Sequence, residues 1–151
     1  MFGHRDSPSG IMPLLISAVE NHISKYGVKC FIVGNYGQFD KLAASAVTFC
    51  KKTHPEISLL MLLPYHPTER PVKLSCEFDG SYYPPDMETV PRKIAIVRAN
   101  QCAVDHSGYI IAYMSRSAGN TANLLAYAQR RGTNGRKNIT LLKRSDDLTS
   151  Y

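Results

Sequence analysis

Tyr109-Ile110-Ile111-Ala112-Tyr113-Met114 runs directly into Ser115-Arg116-Ser117-Ala118-Gly119-Asn120-Thr121-Ala122-Asn123, then into an Ala/Leu-rich segment that Gly132 ends. An apolar β-branched run, a polar loop of small residues and a helical pattern read, in that order, as one strand–loop–helix unit. The order occurs twice more. A short first strand at 1–3 leads into Gly3-His4-Arg5-Asp6, and Val28-Lys29-Cys30-Phe31-Ile32-Val33 leads into Gly34-Asn35-Tyr36-Gly37. In an open parallel α/β sheet such loops lie at the carboxyl ends of the strands, where ligands bind. Glycine lets a phosphate approach the backbone, and the following helix N-terminus offers free N–H groups and a positive dipole end. The pattern points to a pocket for a phosphorylated or nucleotide-like ligand.

The rest of the chain alternates in the same way. Helical spacing of Ile11, Leu14, Leu15, Ala18, Val19 and Ile23 predicts a helix over 11–26 with Gly27 as its stop. Leu42, Ala43, Ala46, Val47, Phe49 and Cys50 predict a second over 39–53. The nearly continuous Leu/Ile/Met run at 57–63 reads as a strand buried on both faces. Further helices are expected at 92–106 and 121–131, and a last strand at 138–142. The expectation is a doubly wound, mostly parallel Rossmann-like sheet of five or six strands with helices on both faces. It forms a single domain over 1–143, followed by a polar tail at 144–151. A long connection at 64–91 holds Pro64, Pro67, Pro71, Pro84, Pro85 and Pro91, with a short strand expected at Cys76-Glu77-Phe78-Asp79.

Composition narrows the functional classes. The chain has 151 residues, 44% of them hydrophobic, enough for a buried core. No run of 18 apolar residues exists, so no membrane span is expected. The start, Met1-Phe2-Gly3-His4-Arg5, lacks the features of a signal peptide, and a cytoplasmic protein is expected. Cys30, Cys50, Cys76 and Cys102 are scattered without a Cys-x-x-Cys pair, which predicts free thiols, three of them in apolar surroundings, and no metal site. The net charge of +6 suits an anionic partner. However, Lys51-Lys52 and Arg130-Arg131 fall at expected helix C-termini, where cations complement the dipole as solvated ends; Arg136-Lys137 and Lys143-Arg144 complete the basic cluster.

Candidate binding residues follow from the loops. Arg5 offers a planar fork for phosphate or carboxylate, or braces the loop with Asp6. His4 is suited to donating a hydrogen bond or proton near neutral pH. Asp40 either caps the second long helix or holds a ribose hydroxyl. Ser117, Gly119, Asn120 and Thr121 suit phosphate oxygens, Thr121 being equally suited to a plain N-cap. Arg98 and Asp105, seven residues apart, share a helix face and read as an exposed ion pair. Asp105-His106-Ser107 resembles a triad in text only, since adjacent helical side chains diverge. His22, His54 and His66 read as surface or loop residues.

Five motifs in order resemble the SLOG superfamily: Gly3-His4-Arg5, the run from Gly34 to Asp40, Leu63-Pro64-Tyr65, Val104-Asp105-His106-Ser107, and Gly119-Asn120-Thr121-Ala122-Asn123. These are Rossmann-like proteins related to the DNA-processing protein Smf and to the lonely-guy phosphoribohydrolases. The match is nearest a branch of small bacterial and phage domains. The resemblance implies a nucleotide-derived ligand at the crevice and a homodimer. The expected site comprises Gly3, His4, Arg5, Gly34, Gly37, Asp40, Arg98, Asn100, Ser117, Gly119, Asn120, Thr121 and Asn123, with no cofactor. Where the hydrolases carry a catalytic Glu and Arg, this chain has Leu124 and Ala99. An oxocarbenium-like transition state needs a carboxylate, so the expected role is binding, as a sensor or sequestering domain, with no catalytic residue assigned. The alternatives are N-glycoside hydrolysis using Arg98 and a displaced acid (Asp40, Asp86 or Asp105), and binding of single-stranded DNA.

Overall fold

The computed structural model describes residues 1–132 and 138–144. Strands and helices alternate as β1 (Phe2–Gly3), α1 (Met12–Tyr26), β2 (Cys30–Val33), α2 (Gln38–Lys51), β3 (Ser58–Leu62), β4 (Gly80–Tyr82), α3 (Ala95–Asp105), β5 (Tyr109–Tyr113), α4 (Asn120–Gly132) and β6 (Asn138–Leu142). Short 3-10 turns lead into α1 and α3, so the regular helices begin later than the apolar spacing suggests. Arg136, Lys137 and most of the expected tail fall outside the described residues.

The protein is α/β, and every strand pairing is parallel. The expected single sheet is instead two sheets of three strands, ordered β1-β5-β6 and β2-β3-β4. The cause is the shortness of β1. Its two residues form their ladder with Ala112 and Tyr113 of β5. Toward β2 the described contact is a single bond, from the Met1 amino group to the Ile32 carbonyl at 2.9 Å.

Alternation along the strands separates two layers of core, as the pleat requires. Ile111 and Tyr113 of β5 and Phe31 and Val33 of β2 pack with Leu15, Val19, Ala43 and Val47 of α1 and α2. The intervening Ile110 and Ala112 pack instead with Val104 of α3 and Ala128 of α4. Ile32 packs against Leu62, Ala95 and Ala99. Helix α1 ends where its sequence demands: Gly27 is left-handed (φ 66°), and the N–H groups of Gly27 and Val28 take the carbonyls of Ile23 and His22.

Several expectations are corrected. The strand of the long connection is Gly80–Tyr82, not 76–79, because Asp79 marks its start. Asp79 donates its backbone N–H to the Leu59 carbonyl at 2.9 Å, and its carboxylate accepts the Leu59 N–H at 2.8 Å. The same carboxylate pairs with Lys51, so that helix end is not merely solvated. Two cysteines, not three, are buried: Cys50 and Cys102; Cys30 and Cys76 are exposed, and all four are free. His22 is no surface residue: it is 1% exposed, on the α1 face that carries Leu15, Ala18 and Val19. Its Nδ1 lies 2.6 Å from the Ala18 carbonyl and its Nε2 3.4 Å from the Thr140 hydroxyl, so the buried ring is satisfied. His54 is held by Glu20 at 2.7 Å, which raises its pKa.

Replacing Asp79 with Ala leaves the fully buried Leu59 N–H without its carboxylate acceptor. The expected loss is about 1–3 kcal/mol of stability in urea unfolding, and an unchanged midpoint would show that β4 docks without this clamp.

Candidate functional site

The loops after β1 and β2, helix α3 and the start of α4 surround a cleft of about 430 Å³. One wall comes from Gly3 and Arg5 and from Gly34, Tyr36, Gly37 and Asp40. Asn100 and Gln101 of α3 form the second, and Asn120, Thr121 and Asn123 in the first turns of α4 the third. Nine of the thirteen expected residues therefore line it: Gly3, Arg5, Gly34, Gly37, Asp40, Asn100, Asn120, Thr121 and Asn123. His4, Arg98, Ser117 and Gly119 do not. Arg98 lies off the α3 face that carries Val97, Asn100 and Gln101 to the cleft. Its nearest polar partner is Gln101 at 3.5 Å, not Asp105.

The glycines of the first two loops have a packing reason of their own. A methyl group on Gly34 would stand 2.8 Å from the Asp40 carboxylate, and one on Gly37 would stand 2.7 Å from the Arg5 Cα. A methyl on Gly3 would overlap the Phe39 ring. These positions let the first two loops close on each other. The Gln38 N–H to Arg5 carbonyl bond, 2.8 Å, fastens the same junction.

Asp40 sits in the first turn of α2, three residues beyond the extended N-cap position Gly37, which has no side chain to cap with. The expected cap becomes a loop brace. One carboxylate oxygen accepts the Tyr36 N–H at 3.0 Å, and the Gly34 backbone also bonds the carboxylate. Burial raises the Asp40 pKa, against the opposing pull of those N–H groups, the Met1 ammonium and Arg5. Among the described residues it is the one carboxylate lining the cleft.

Behind the cleft, Asp6 receives Arg116 at 3.0 Å on each carboxylate oxygen, tying the β1 loop to the β5 loop. The expected Arg5–Asp6 brace is therefore an Asp6–Arg116 brace, and among the described residues the exposed Arg5 guanidinium takes no hydrogen bond. His4 is 3% exposed, edge-on to Tyr113, and bonded through the ring to the Arg116 backbone. Its Nε2 has no partner among the described residues. Asp105 is occupied by the Tyr127 hydroxyl, at 2.9 and 2.8 Å, and by Arg131 at 3.2 Å. Ser107 donates to the Ala103 carbonyl at 2.7 Å, as a helix-end residue rather than a nucleophile.

Residues outside the expected set also line the cleft: Tyr36, Gln101, Leu124, Tyr127 and Arg130. On α4, Asn120, Asn123, Leu124 and Tyr127 follow i, i+3, i+4, i+7 spacing. That periodicity places Tyr127 on the same face as the loop residues before it.

Burial, then the Arg116 charge, lower the His4 pKa below the ordinary 6.5. The unfolded chain therefore binds the proton more readily, and stability falls as pH drops below about 6.5. Urea midpoints taken from pH 7.5 to 5 should show this loss, and a His4→Gln variant should show a smaller one; parallel curves would remove His4 as the cause.

No protein-family model matches the chain, and no curated protein matches it.

Proposed function

We propose that the cleft binds a nucleotide or a nucleotide-derived phosphorylated molecule, which the protein senses or sequesters. The observation that carries this reading is the convergence of the exposed Arg5 and the start of α4, at Asn120 and Thr121, on one cavity. An arginine fork and a helix N-terminus are both suited to phosphate oxygens. Asn100 and Asn123 offer amides for sugar or base, and the Asp40 carboxylate suits a ribose hydroxyl. The resemblance to the SLOG superfamily supports the same ligand class. So does reading the two three-stranded sheets as halves of one doubly wound sheet divided at β1, with the ligand at their carboxyl edge. A homodimer belongs to this proposal on the resemblance alone.

One observation favours a second reading, N-glycoside hydrolysis: Asp40 is a buried cleft carboxylate with a raised pKa. Such a group is suited to protonating a departing base. Against it, Leu124 and Ala99 line the cleft with apolar groups, and Arg98 stands outside it. Binding is the better-supported function. Release of free base from nucleoside monophosphates, lost in Asp40→Asn, would reverse that order.

Native mass spectrometry of gently purified protein, followed by denaturation, should release a nucleotide-class molecule. Isothermal titration with nucleoside monophosphates should show Arg5→Ala weakened roughly tenfold to hundredfold, the scale of a lost charge-assisted contact. A folded variant that binds as the parent does would overturn the proposal.

A further inference from the structure

We infer that the cleft selects ligands carrying a planar heteroaromatic base, which stacks on Tyr36. This rests on the nucleotide reading and adds which part of the ligand distinguishes one phosphorylated molecule from another. Tyr36 is 38% exposed although it lines the cleft. The loop that carries it is fixed, since Asp40 holds its backbone N–H at 3.0 Å and Gly37 packs against the Arg5 backbone. A ring on a braced loop loses little freedom when it takes a partner.

The other aromatic rings of the cleft are committed elsewhere. Phe39 is buried in the core, under Gly3, and Phe2 packs against the core around Ile110 and Ala112. Tyr127 donates to Asp105, and the Arg131 guanidinium lies over its ring at 5.1 Å. Among the described residues, no ring stacks on Tyr36. Its surroundings suit a base: Arg5, Tyr65 and Arg70 all lie within electrostatic reach, and Arg70 already covers the Tyr65 ring at 4.1 Å. Asn100 and Gln101 each carry both donors and an acceptor, the groups needed to read a base edge. A bare sugar phosphate would use Arg5 and the α4 start and leave the Tyr36 ring in water.

The test is isothermal titration of the intact chain with AMP, GMP, CMP, UMP and ribose 5-phosphate. At least one nucleotide should bind about tenfold to hundredfold more tightly than ribose 5-phosphate, the scale of one base–aromatic stack. Tyr36→Ala, folded by circular dichroism, should erase that margin without weakening ribose 5-phosphate, and Tyr36→Phe should keep it. Because the chain contains no tryptophan, Tyr36→Trp supplies a single reporter, whose emission should change with the nucleotide and not with the sugar phosphate. Equal affinity for nucleotides and ribose 5-phosphate, or a margin that survives Tyr36→Ala, overturns the stacking inference and leaves the phosphate reading standing. No binding of any probe at millimolar concentration overturns both.

Discussion

All four strand pairings are parallel, and the positions of the loops, the helices and the cleft follow from that constraint. A parallel strand cannot be reached by a tight hairpin, so the chain must cross over, and helices provide most of the crossovers here. The loops that leave β1, β2 and β5 then emerge at the same edge. The strands are flanked on both faces by apolar cores, which is why β3 is Leu and Met after its first residue and why Ile110 and Ile111 are both buried. The two residues of β1 are the narrowest part of this plan. They join β5 by a ladder and approach β2 through the Met1–Ile32 bond. The cleft opens beyond their carboxyl end.

The cleft walls are held by contacts that lie around the cavity rather than across it. Asp6 and Arg116 join two loops, Asp40 braces a third, and Asp105 with Tyr127 and Arg131 locks α3 to α4. These contacts occupy most of the ionic groups near the site. Arg5 is the exception that faces the cavity with its fork unbonded among the described residues. Among the described residues the site has a fixed frame, two arginines, a helix start and several amides, but a single carboxylate. That inventory is better suited to recognition than to a reaction needing two acids or an acid with a catalytic guanidinium.

Much of this is legible in the sequence. Strand–loop–helix order, apolar spacing and Gly27 identified the regular elements to within a few residues, because burial on one helical stripe or on both strand faces leaves a local signature. The loop after β5 was legible for the same reason, and with it Asn120, Thr121 and Asn123. The sequence pattern did not reveal β4, His22 or Tyr127. Strand β4 depends on Asp79 reaching Leu59, twenty residues earlier. His22 sits on a buried stripe, and its ring is satisfied by a carbonyl four residues back and a hydroxyl 118 residues away.

By itself, the sequence determined that this is an α/β chain with glycine-bearing loops after three apolar strands, since periodicity and turn chemistry are local properties. Tertiary structure decided which loop residues share one cavity. It drew nine of the expected site residues together and left His4, Arg98, Ser117 and Gly119 outside. It also showed that Gly3, Gly34 and Gly37 make room for Phe39, Asp40 and Arg5. Those outcomes depend on contacts between loops far apart in the chain, and no local pattern encodes the distance between them.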